Sequence, residues 1–443
     1  MDIEALRQQA QRGVPEAQLQ LAIAYMTGNG LKQDAATGRR WLAEAARNGN
    51  TDAARFLGLI YLRGLDTPPD LERSEALLAQ AMDAGDREAA WCLASLRLGR
   101  RDNDSARTAG RRDLEAAASA GHPRALCQLA WLLDGRTDEP AAPREALELA
   151  RRAAQAGDGG ALLLLSEWAR LGRWIARDMP FAGALAQAAA ARNWLLAAEL
   201  AKEMPAGGRL ALERLQFSED RNSDWPAPAL TMASWEPRVV LVRRLLSDFE
   251  CAEVINAAGE HLTPSFIVDQ DGDHASDQIR SSTEVRLRDG LRNLVVNAVE
   301  ERMATWSMVP VAHGEYPLVL RYEHGQSFEQ HFDYFIPERF TMGQGPLEFG
   351  GQRIATQLLY LNAGFTGGET RFDRAEMVIQ PERGMCMMFH NVKPDHNVDP
   401  LTRHTGVAVE TGVKWLLSRW IRELPSDCPA ATHVRDVYRP ATA

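Results

Sequence analysis

Small and apolar residues recur at a fixed interval through the first half of the chain, with polar residues between them. The interval is 36 residues, as from Ala17 to Ala53, and four columns of residues keep it in one register. The columns are Ala17, Ala53, Ala89, Ala125 and Ala161; Leu21, Leu57, Leu93, Leu129 and Leu165; Gly49, Gly85, Gly121 and Gly157; and Ala45, Ala81, Ala117, Ala153 and Ala189. A fixed period of this length is typical of a repeat protein.

One repeat unit predicts two helices joined by a turn. Each alanine of the first column stands four residues before a leucine, so the two lie on one helical face, and the small residue lets a second helix approach. Gly28, Gly64 and Gly172 fall where the first helix should end, because glycine suits a left-handed cap. A single unit cannot bury its apolar face alone, so five stacked units over about 15–194 predict a curved all-α solenoid.

These units resemble the Sel1-like repeat family, relatives of the tetratricopeptide repeat. The segments AQLQLAIAYMTGNGLKQDAATGRRWLAEAARNGN and AARFLGLIYLRGLDTPPDLERSEALLAQAMDAGD carry the resemblance, which weakens in the fifth unit, where Asn193 replaces the terminal glycine. The resemblance implies a surface that binds a protein or peptide substrate. A purely structural spacer is the alternative, because a repeat fold does not fix a function.

The pattern changes after residues 205–236, which are rich in Pro, Gly, Ser, Asp and Asn and predict a connector with one short helix around Leu210–Leu215. Two amphipathic segments, LSDFECAEVINAAGEHL and LRNLVVNAVEERMATW, then predict helices, the first with Ser247 or Asp248 as its N-cap. From Pro317 onward, short segments alternate with period two between turn signals, as in YPLVLRY and IATQLLYLN. Such segments predict the strands of an antiparallel sandwich or barrel.

The predicted organisation is therefore multidomain α + β. We expect helical repeats over residues 1–204, the connector over 205–236, a strand-rich domain over 237–424 and a tail over 425–443.

Composition and charge exclude several classes of protein. The 443 residues include 50 Lys+Arg and 60 Asp+Glu, a net charge of −10, whereas binding to nucleic acid normally needs a basic excess. No apolar run reaches about 18 residues, and the start MDIEALRQQAQRG lacks the layout of a signal peptide. We therefore expect a cytoplasmic protein with no nucleic-acid or membrane partner. The five cysteines include no Cys-x-x-Cys pair, so buried free thiols are expected.

The strand-rich domain contains a candidate metal site. His331 and Asp333 stand two apart in a predicted strand, so an imidazole and a carboxylate would share one face and could share one ion. A second histidine must come from elsewhere, and we favour His404 in RHTGVAV over His390 and His396. Two imidazoles and one carboxylate on one side of an ion are the arrangement of non-haem Fe(II) oxygenases.

The preference for His404 depends on Lys414, which follows it by ten residues; neither rival histidine has a lysine at that offset. An ammonium group stays charged at neutral pH and can hold the far carboxylate of a dicarboxylic co-substrate. Tyr322 could donate its hydroxyl to the same carboxylate, and Trp420, on the face of Lys414, could form a wall of the site.

Together these residues resemble the prolyl 4-hydroxylase-like family of Fe(II)/2-oxoglutarate dioxygenases. The resemblance covers about 237–424 and runs through IRSSTEVRL, LRYEHGQSFEQHFDYF, RIATQLLYLNAGFTGGETRF, RGMCMMFHNVKPDHNVDP and RHTGVAVETGVKWLLSRWIRE. It implies a double-stranded β-helix, or jelly roll, with flanking helices. It also implies Fe(II) held by His331, Asp333 and His404, with 2-oxoglutarate and O₂ as co-substrates and ascorbate as an accessory.

The same resemblance implies roles for other residues. Lys414, Tyr322 and Thr356 would bind 2-oxoglutarate, while Phe328, Trp420 and Arg280 would lie on the substrate side. The family often has tyrosine where this chain has Phe328. The missing hydroxyl should leave iron and 2-oxoglutarate binding intact, but it weakens the expectation of a prolyl substrate.

Three functional hypotheses follow. The first is a peptidyl hydroxylase, with proline as the candidate target, whose repeats recruit the protein substrate. The second is a 2-oxoglutarate oxygenase of a small molecule, and the third is a non-enzymatic repeat scaffold with an inactive oxygenase domain. The intact set of His331, Asp333, His404 and Lys414 argues against the third. A zinc hydrolase is a weaker rival, because the chain has no His-Glu-x-x-His motif.

Overall fold

The computed structural model describes residues 2–100, 103–135, 139, 141–218, 227–265, 267–268, 274–275, 281–336, 347 and 349–426. The chain divides into two compact units. The first comprises Met1–Arg136 and Asp289–Asn293, and the second Thr137–Arg288 and Leu294–Ala443. The domain limits at 204, 236 and 424 stay predictions.

Helices of the repeat pattern make up most of the first unit. They are α1 (Ile3–Gln11), α2 (Pro15–Thr27), α3 (Ala35–Arg47), α4 (Thr51–Arg63), α5 (Leu71–Asp83), α6 (Arg87–Leu98), α7 (Asp104–Ser119) and α8 (Pro123–Asp134). Each packs against the next along the chain. Both alanine columns are buried along their whole length. At Gly38 of α3 an added Cβ would lie 2.5 Å from Met26 Cγ of α2, so a small residue is needed for the two helices to approach.

The helix ends follow the predicted glycines. Gly28, Gly64 and Gly172 have left-handed backbone at the C-caps of their helices, which confirms the predicted caps. Asn193, which replaces the terminal glycine of the fifth repeat, has a φ of 63°. Asparagine is one of the few residues that adopts this conformation readily, so the turn is kept without glycine.

The second unit contains the remaining helices and the sheets. The helices are α9 (Ala142–Gln155), α10 (Gly159–Leu171), α11 (Met179–Ala190), α12 (Ala197–Lys202), α13 (Asp248–Gly259) and α14 (Leu294–Ser307). Ser247 caps α13 in a reciprocal capping box with Glu250, which confirms the predicted N-cap. In the predicted connector, Leu212–Arg214 form a 3-10 turn.

The strands cover most of the segments that alternate with period two. They are β1 (Ala229–Trp235), β2 (Arg238–Arg243), β3 (Thr263–Pro264), β4 (Ile267–Val268), β5 (His274–Ala275), β6 (Thr283–Arg286), β7 (Leu318–Tyr322), β8 (Phe328–His331), β9 (Arg353–Tyr360), β10 (Thr366–Gly367), β11 (Thr370–Phe372), β12 (Met377–Ile379), β13 (Cys386–His390), β14 (His404–Gly406), β15 (Val409–Thr411) and β16 (Lys414–Arg422). Strand β1 lies in the predicted connector and pairs with β2 at the edge of a sheet.

Two sheets form the predicted jelly roll. The larger has eight strands in the order β1-β2-β13-β9-β16-β7-β6-β3, and the smaller has four in the order β12-β11-β14-β8. The rings of Phe372 in β11 and Phe389 in β13 meet edge to face at 5.2 Å, so side chains of both sheets share one core. On α14, the buried Glu300 accepts a hydrogen bond from Arg419 of β16, which ties this helix to the larger sheet. The predicted fold class, helical repeats followed by a double-stranded β-helix with flanking helices, is confirmed.

Two features of the strands differ from the sequence prediction. Strand β8 ends at His331, so Asp333 lies in the bend that follows rather than on the strand. The segment RHTGVAV is divided between β14 and the first residue of β15, because β14 pairs within the smaller sheet and β15 pairs with β10.

Two further expectations concern membranes and thiols. Among the described helices, none combines the length and apolar character needed to cross a membrane. Cys92, Cys127, Cys251 and Cys386 are buried free thiols, as expected, and Cys428 lies outside the described residues.

Candidate functional site

Three potential metal ligands meet where strands β8 and β14 pair. His331 and His404 are direct cross-strand partners, and the bend after β8 brings Asp333 beside them. Asp333 Oδ1 lies 3.5 Å from His331 Nε2, and Asp333 Oδ2 lies 3.9 Å from His404 Nε2. The ligand atoms of the three side chains all lie within 4.8 Å of one another. In the described part of the chain, no other group of three His, Cys, Asp or Glu side chains is arranged in this way.

The backbone fixes the orientation of both imidazoles. His331 Nδ1 lies 2.8 Å from the carbonyl oxygen of Glu329, and His404 Nδ1 lies 3.0 Å from that of Thr402. A carbonyl oxygen only accepts hydrogen bonds, so each Nδ1 carries a hydrogen, and the neutral form of either ring has its lone pair on Nε2. The two lone pairs therefore belong to the nitrogens that face Asp333.

Protonation also suits metal binding. Burial lowers the pKa of His404 to about 4, and the neighbouring His331 adds to the effect, so the His404 imidazole is neutral at pH 7. Burial alone would raise the pKa of Asp333, but the electrostatic influence of the neighbouring His331 and His404 outweighs it and holds this pKa well below its usual range. A neutral imidazole and an ionised carboxylate are the forms that bind metal ions.

A buried lysine lines the same cavity. Lys414, at the start of β16, is 3% exposed, and its Nζ donates to the carbonyl oxygen of Gly368 at 2.6 Å. Burial lowers the pKa of its ammonium group to about 8. Lys414 forms no salt bridge with any carboxylate of the described residues, so this charge is available for an anionic ligand. Tyr322, its cross-strand partner, and Tyr360 each place a ring within 5.6 Å of Nζ.

Apolar side chains form the rest of the wall. Phe328 stacks on the His331 ring with centroids 3.5 Å apart, and Trp420 lies on β16 with its ring toward the cavity. Leu320, Leu358 and Leu416 complete this wall. Apolar side chains thus form much of the wall beside the ligand group.

The structure brings most of the predicted site residues together. The residues that line this one cavity are His331, Asp333, His404, Lys414, Tyr322, Phe328 and Trp420. The hydroxyl of Thr356 donates to Asp333, and its expected contact with 2-oxoglutarate stays a prediction. The rival histidines, His390 and His396, do not belong to the ligand group. Arg280 lies outside the described residues.

The sequence analysis missed Thr370 as a site residue. Its side chain lines the cavity, and its Oγ1 lies 2.8 Å from the Tyr360 hydroxyl oxygen. The signal was present in the GGET segment, where Thr370 follows two glycines with positive φ, Gly367 and Gly368. The tight turn delivers the backbone carbonyl of Gly368 to Lys414 and places Thr370 close by.

Comparisons with known proteins agree with this geometry. A model of the 2OG-Fe(II) oxygenase superfamily matches residues 317–422, and a model of the Sel1 repeat matches 15–50, 51–86 and 123–158. A probable prolyl 4-hydroxylase 3 of Arabidopsis thaliana is 34% identical over 233 residues, which cover 48% of this chain and 77% of that protein.

Solved structures are similar to each half of the chain. A viral collagen prolyl hydroxylase from Paramecium Bursaria Chlorella virus-1, solved as a 2OG complex, is 26% identical with a TM-score of 0.33, and the match covers 42% of this chain and 95% of that one. The protective antigen c5321 of uropathogenic Escherichia coli, with an SLR fold, is 25% identical with a TM-score of 0.40, and the match covers 44% of this chain and 42% of that one.

The jelly roll, the His-Asp-His group and the superfamily match define a 2-oxoglutarate- and Fe(II)-dependent oxygenase domain preceded by Sel1 repeats. Given the extent of the match to the plant relative, the chain belongs to the prolyl 4-hydroxylase family of dioxygenases.

Proposed function

We propose that the chain hydroxylates a peptidyl substrate, with proline as the candidate residue, in a reaction that uses Fe(II), 2-oxoglutarate and O₂. The observation that carries the proposal is that one cavity contains two kinds of group. One is the His-Asp-His set, whose ligand atoms lie close together, and the other is a buried lysine that can bind a carboxylate. A purely structural cavity needs neither.

The ligand set fits Fe(II). His331 and His404 would supply two Nε2 nitrogens and Asp333 one oxygen, a donor set that suits non-haem iron with open positions. When bound, Fe(II) supplies the oxidising chemistry: one oxygen atom of O₂ enters the substrate C–H bond, the other enters succinate, and CO₂ leaves. We include ascorbate as an accessory reductant that would keep the iron held by His331, Asp333 and His404 in the Fe(II) state.

The other residues of the cavity would hold the co-substrate and exclude water. Lys414 would pair with the far carboxylate of 2-oxoglutarate, with Tyr322 and Thr370 as neighbouring hydroxyl donors. The Lys414 ammonium group has no carboxylate partner among the described residues, so it favours a doubly charged co-substrate over a neutral one. The carboxylate of the co-substrate would replace the hydration that the ammonium group loses on burial. Phe328 and Trp420 would keep the reacting end dry.

Two features support a protein substrate. The family relatives are named as prolyl 4-hydroxylases, and Sel1 repeats are protein-interaction modules in general. Phe328 offers no hydroxyl to the substrate side, so any prolyl group would be held there by apolar contact alone.

The test is mass spectrometry of peptides treated with the full chain. Purified protein is supplied with Fe(II), 2-oxoglutarate, ascorbate and air, together with a set of proline-containing peptides and matched peptides in which alanine replaces proline. We expect a gain of one oxygen atom on proline, absent with His331→Ala and strongly reduced with Lys414→Ala. Succinate formation without any modified peptide would instead favour a small-molecule oxygenase, and no binding of iron or 2-oxoglutarate would favour a scaffold.

A further inference from the structure

A short series of hydrogen bonds lies behind the Asp333 carboxylate. Thr356 Oγ1 donates to Asp333 Oδ2 at 2.8 Å, and Asn391 Nδ2 donates to Thr356 Oγ1 at 3.0 Å. Thr356 on β9 and Asn391 after β13 are both 0% exposed. We call this series the Asn391–Thr356 relay.

The chemistry of the groups gives the relay one direction. An amide nitrogen only donates and an ionised carboxylate only accepts, whereas a hydroxyl has a single hydrogen. Because Asn391 donates to the Thr356 oxygen, the Thr356 hydrogen must point to Asp333. If the amide of Asn391 were reversed, two acceptors would compete for that one hydrogen. The observed orientation is therefore the one that satisfies both Asp333 and Thr356.

The relay treats the two oxygens of Asp333 differently. Oδ2 receives the hydrogen bond from Thr356, while Oδ1 is the oxygen nearer to His331 Nε2, at 3.5 Å. A carboxylate can bind a metal through one oxygen or both. Oδ2 also lies 3.9 Å from His404 Nε2, but one of its lone pairs is engaged by Thr356, which makes Oδ1 the better ligand oxygen. One-oxygen binding keeps more positions open for co-substrates.

Stability alone does not explain Asn391. Its backbone is already fixed, since its N–H donates to Ile354 and its carbonyl accepts from Asp399. In the described structure its buried Oδ1 accepts no hydrogen bond. An unpaired buried acceptor opposes folding, so an apolar side chain of similar shape would suit the core as well or better.

We infer that Thr356 and Asn391 are positioning residues, which hold Asp333 as a one-oxygen ligand of the metal. The inference rests on the proposed function, because it requires a metal at Asp333. Partners behind a metal ligand typically change metal affinity by about 10- to 100-fold when they are removed.

The test measures Mn(II) binding to metal-free full-length chain, from the loss of the free Mn(II) signal in electron paramagnetic resonance. Thr356→Val removes the hydroxyl with little change of shape, and Thr356→Ser is the matched control that keeps it. We expect Thr356→Val to raise the Kd for Mn(II) by about tenfold or more and Thr356→Ser to stay within about threefold of wild type.

Asn391→Leu separates positioning from stability. The relay predicts weaker Mn(II) binding, by about threefold to tenfold, with a thermal midpoint that is unchanged or higher. The change should have no further effect on Mn(II) binding in Thr356→Val, because the hydroxyl that transmits it is gone. If Thr356→Val does not fold, Asn391→Leu decides the question by itself.

The outcomes distinguish this inference from the proposed function. If wild type binds Mn(II) no better than His331→Ala, the metal site itself is wrong. If wild type binds better than His331→Ala, but both Thr356→Val and Asn391→Leu match wild type, the metal site stands and the relay is overturned. A loss of Mn(II) binding in Asn391→Leu that only parallels a fall in thermal midpoint would also overturn the positioning role.

Discussion

Lys414 carries its charge where burial opposes it. With no carboxylate partner among the described residues, its ammonium group has a pKa lowered to about 8. The proposed co-substrate would provide that partner, and its carboxylate would stabilise the charged form. The ammonium group is therefore in place before the anion binds, and its lowered pKa makes anion binding depend on pH.

We predict that affinity for 2-oxoglutarate falls as pH rises above about 8. The lowered pKa means that the free chain loses the Lys414 proton through this range, so a shrinking fraction can bind the carboxylate. Well above the pKa, the apparent Kd should rise about tenfold per pH unit. Lys414→Arg is the matched control, because guanidinium keeps its charge and its binding curve should be flat. A flat curve for wild type, measured by calorimetry from pH 7 to 9.5, would contradict the prediction.

At the scale of single residues, the sequence predicts which side chains form the site better than it predicts which side chains touch each other. His331, Asp333, His404 and Lys414 were identified from spacing and order, and they share one cavity. The contact between Thr356 and Asp333 was not predicted, because it joins β9 to the bend after β8, and spacing along one chain does not contain such a pair.

Several helices of the repeat region end at glycines with a left-handed backbone. Gly64 caps α4 with a φ of 67°, and an added Cβ would lie 2.8 Å from the Pro69 ring. Gly49 has a φ of 90°, but its added Cβ would meet nothing within 4 Å. The two glycines therefore share the backbone requirement and differ in crowding.

We predict that Gly64→Ala destabilises the first unit more than Gly49→Ala. The left-handed backbone alone costs about 1 kcal/mol for alanine, and the clash with Pro69 should add about as much again. Urea unfolding of the full chain, followed by helical circular dichroism, measures both. An equal loss in the free energy of unfolding for the two substitutions would contradict a destabilising clash with Pro69.

Helix ends were easier to predict from the sequence than strands at a sheet edge. Helix ends were predictable because glycine and serine caps act within a few residues. Strand β1 was not predicted, because it lies at the edge of the sheet and buries none of its residues, so its sequence has no clear hydrophobic face.

Charged contacts connect distant parts of the second unit. Arg383, in the turn before β13, pairs with Glu199 and Glu203 at α12 and with Asp248 at the start of α13. Its side chain is only 14% exposed. Helix α12, at the end of the repeat region, is thereby bound to the oxygenase domain. A single sequence cannot reveal this, because Arg383 lies 135 to 184 residues from these partners.

We predict that Arg383→Met destabilises the second unit by about 2 kcal/mol, since the part-buried Glu199 loses its charged partner, whereas Asp248 keeps Arg170 and Glu203 is largely solvated. Arg243→Met is the matched control. Arg243 pairs with Glu382, the residue before Arg383. Both side chains of this pair are more than a third exposed, so the loss of stability should stay below about 1 kcal/mol. Thermal unfolding of the full chain compares the two. Similar midpoints for both variants would contradict a role for Arg383 in joining α12 to the oxygenase domain.

For the whole molecule, the central claim is that one cavity uses Fe(II) and 2-oxoglutarate. The most direct measurement is O₂-dependent succinate formation from 2-oxoglutarate by the iron-loaded full chain. It should be compared for wild type, His404→Ala and His396→Ala, which removes an exposed histidine outside the ligand group. We expect succinate from wild type and His396→Ala, and a loss of about a hundredfold or more in His404→Ala. Equal succinate from wild type and His404→Ala, or none from wild type in the presence of bound iron and 2-oxoglutarate, would contradict the account.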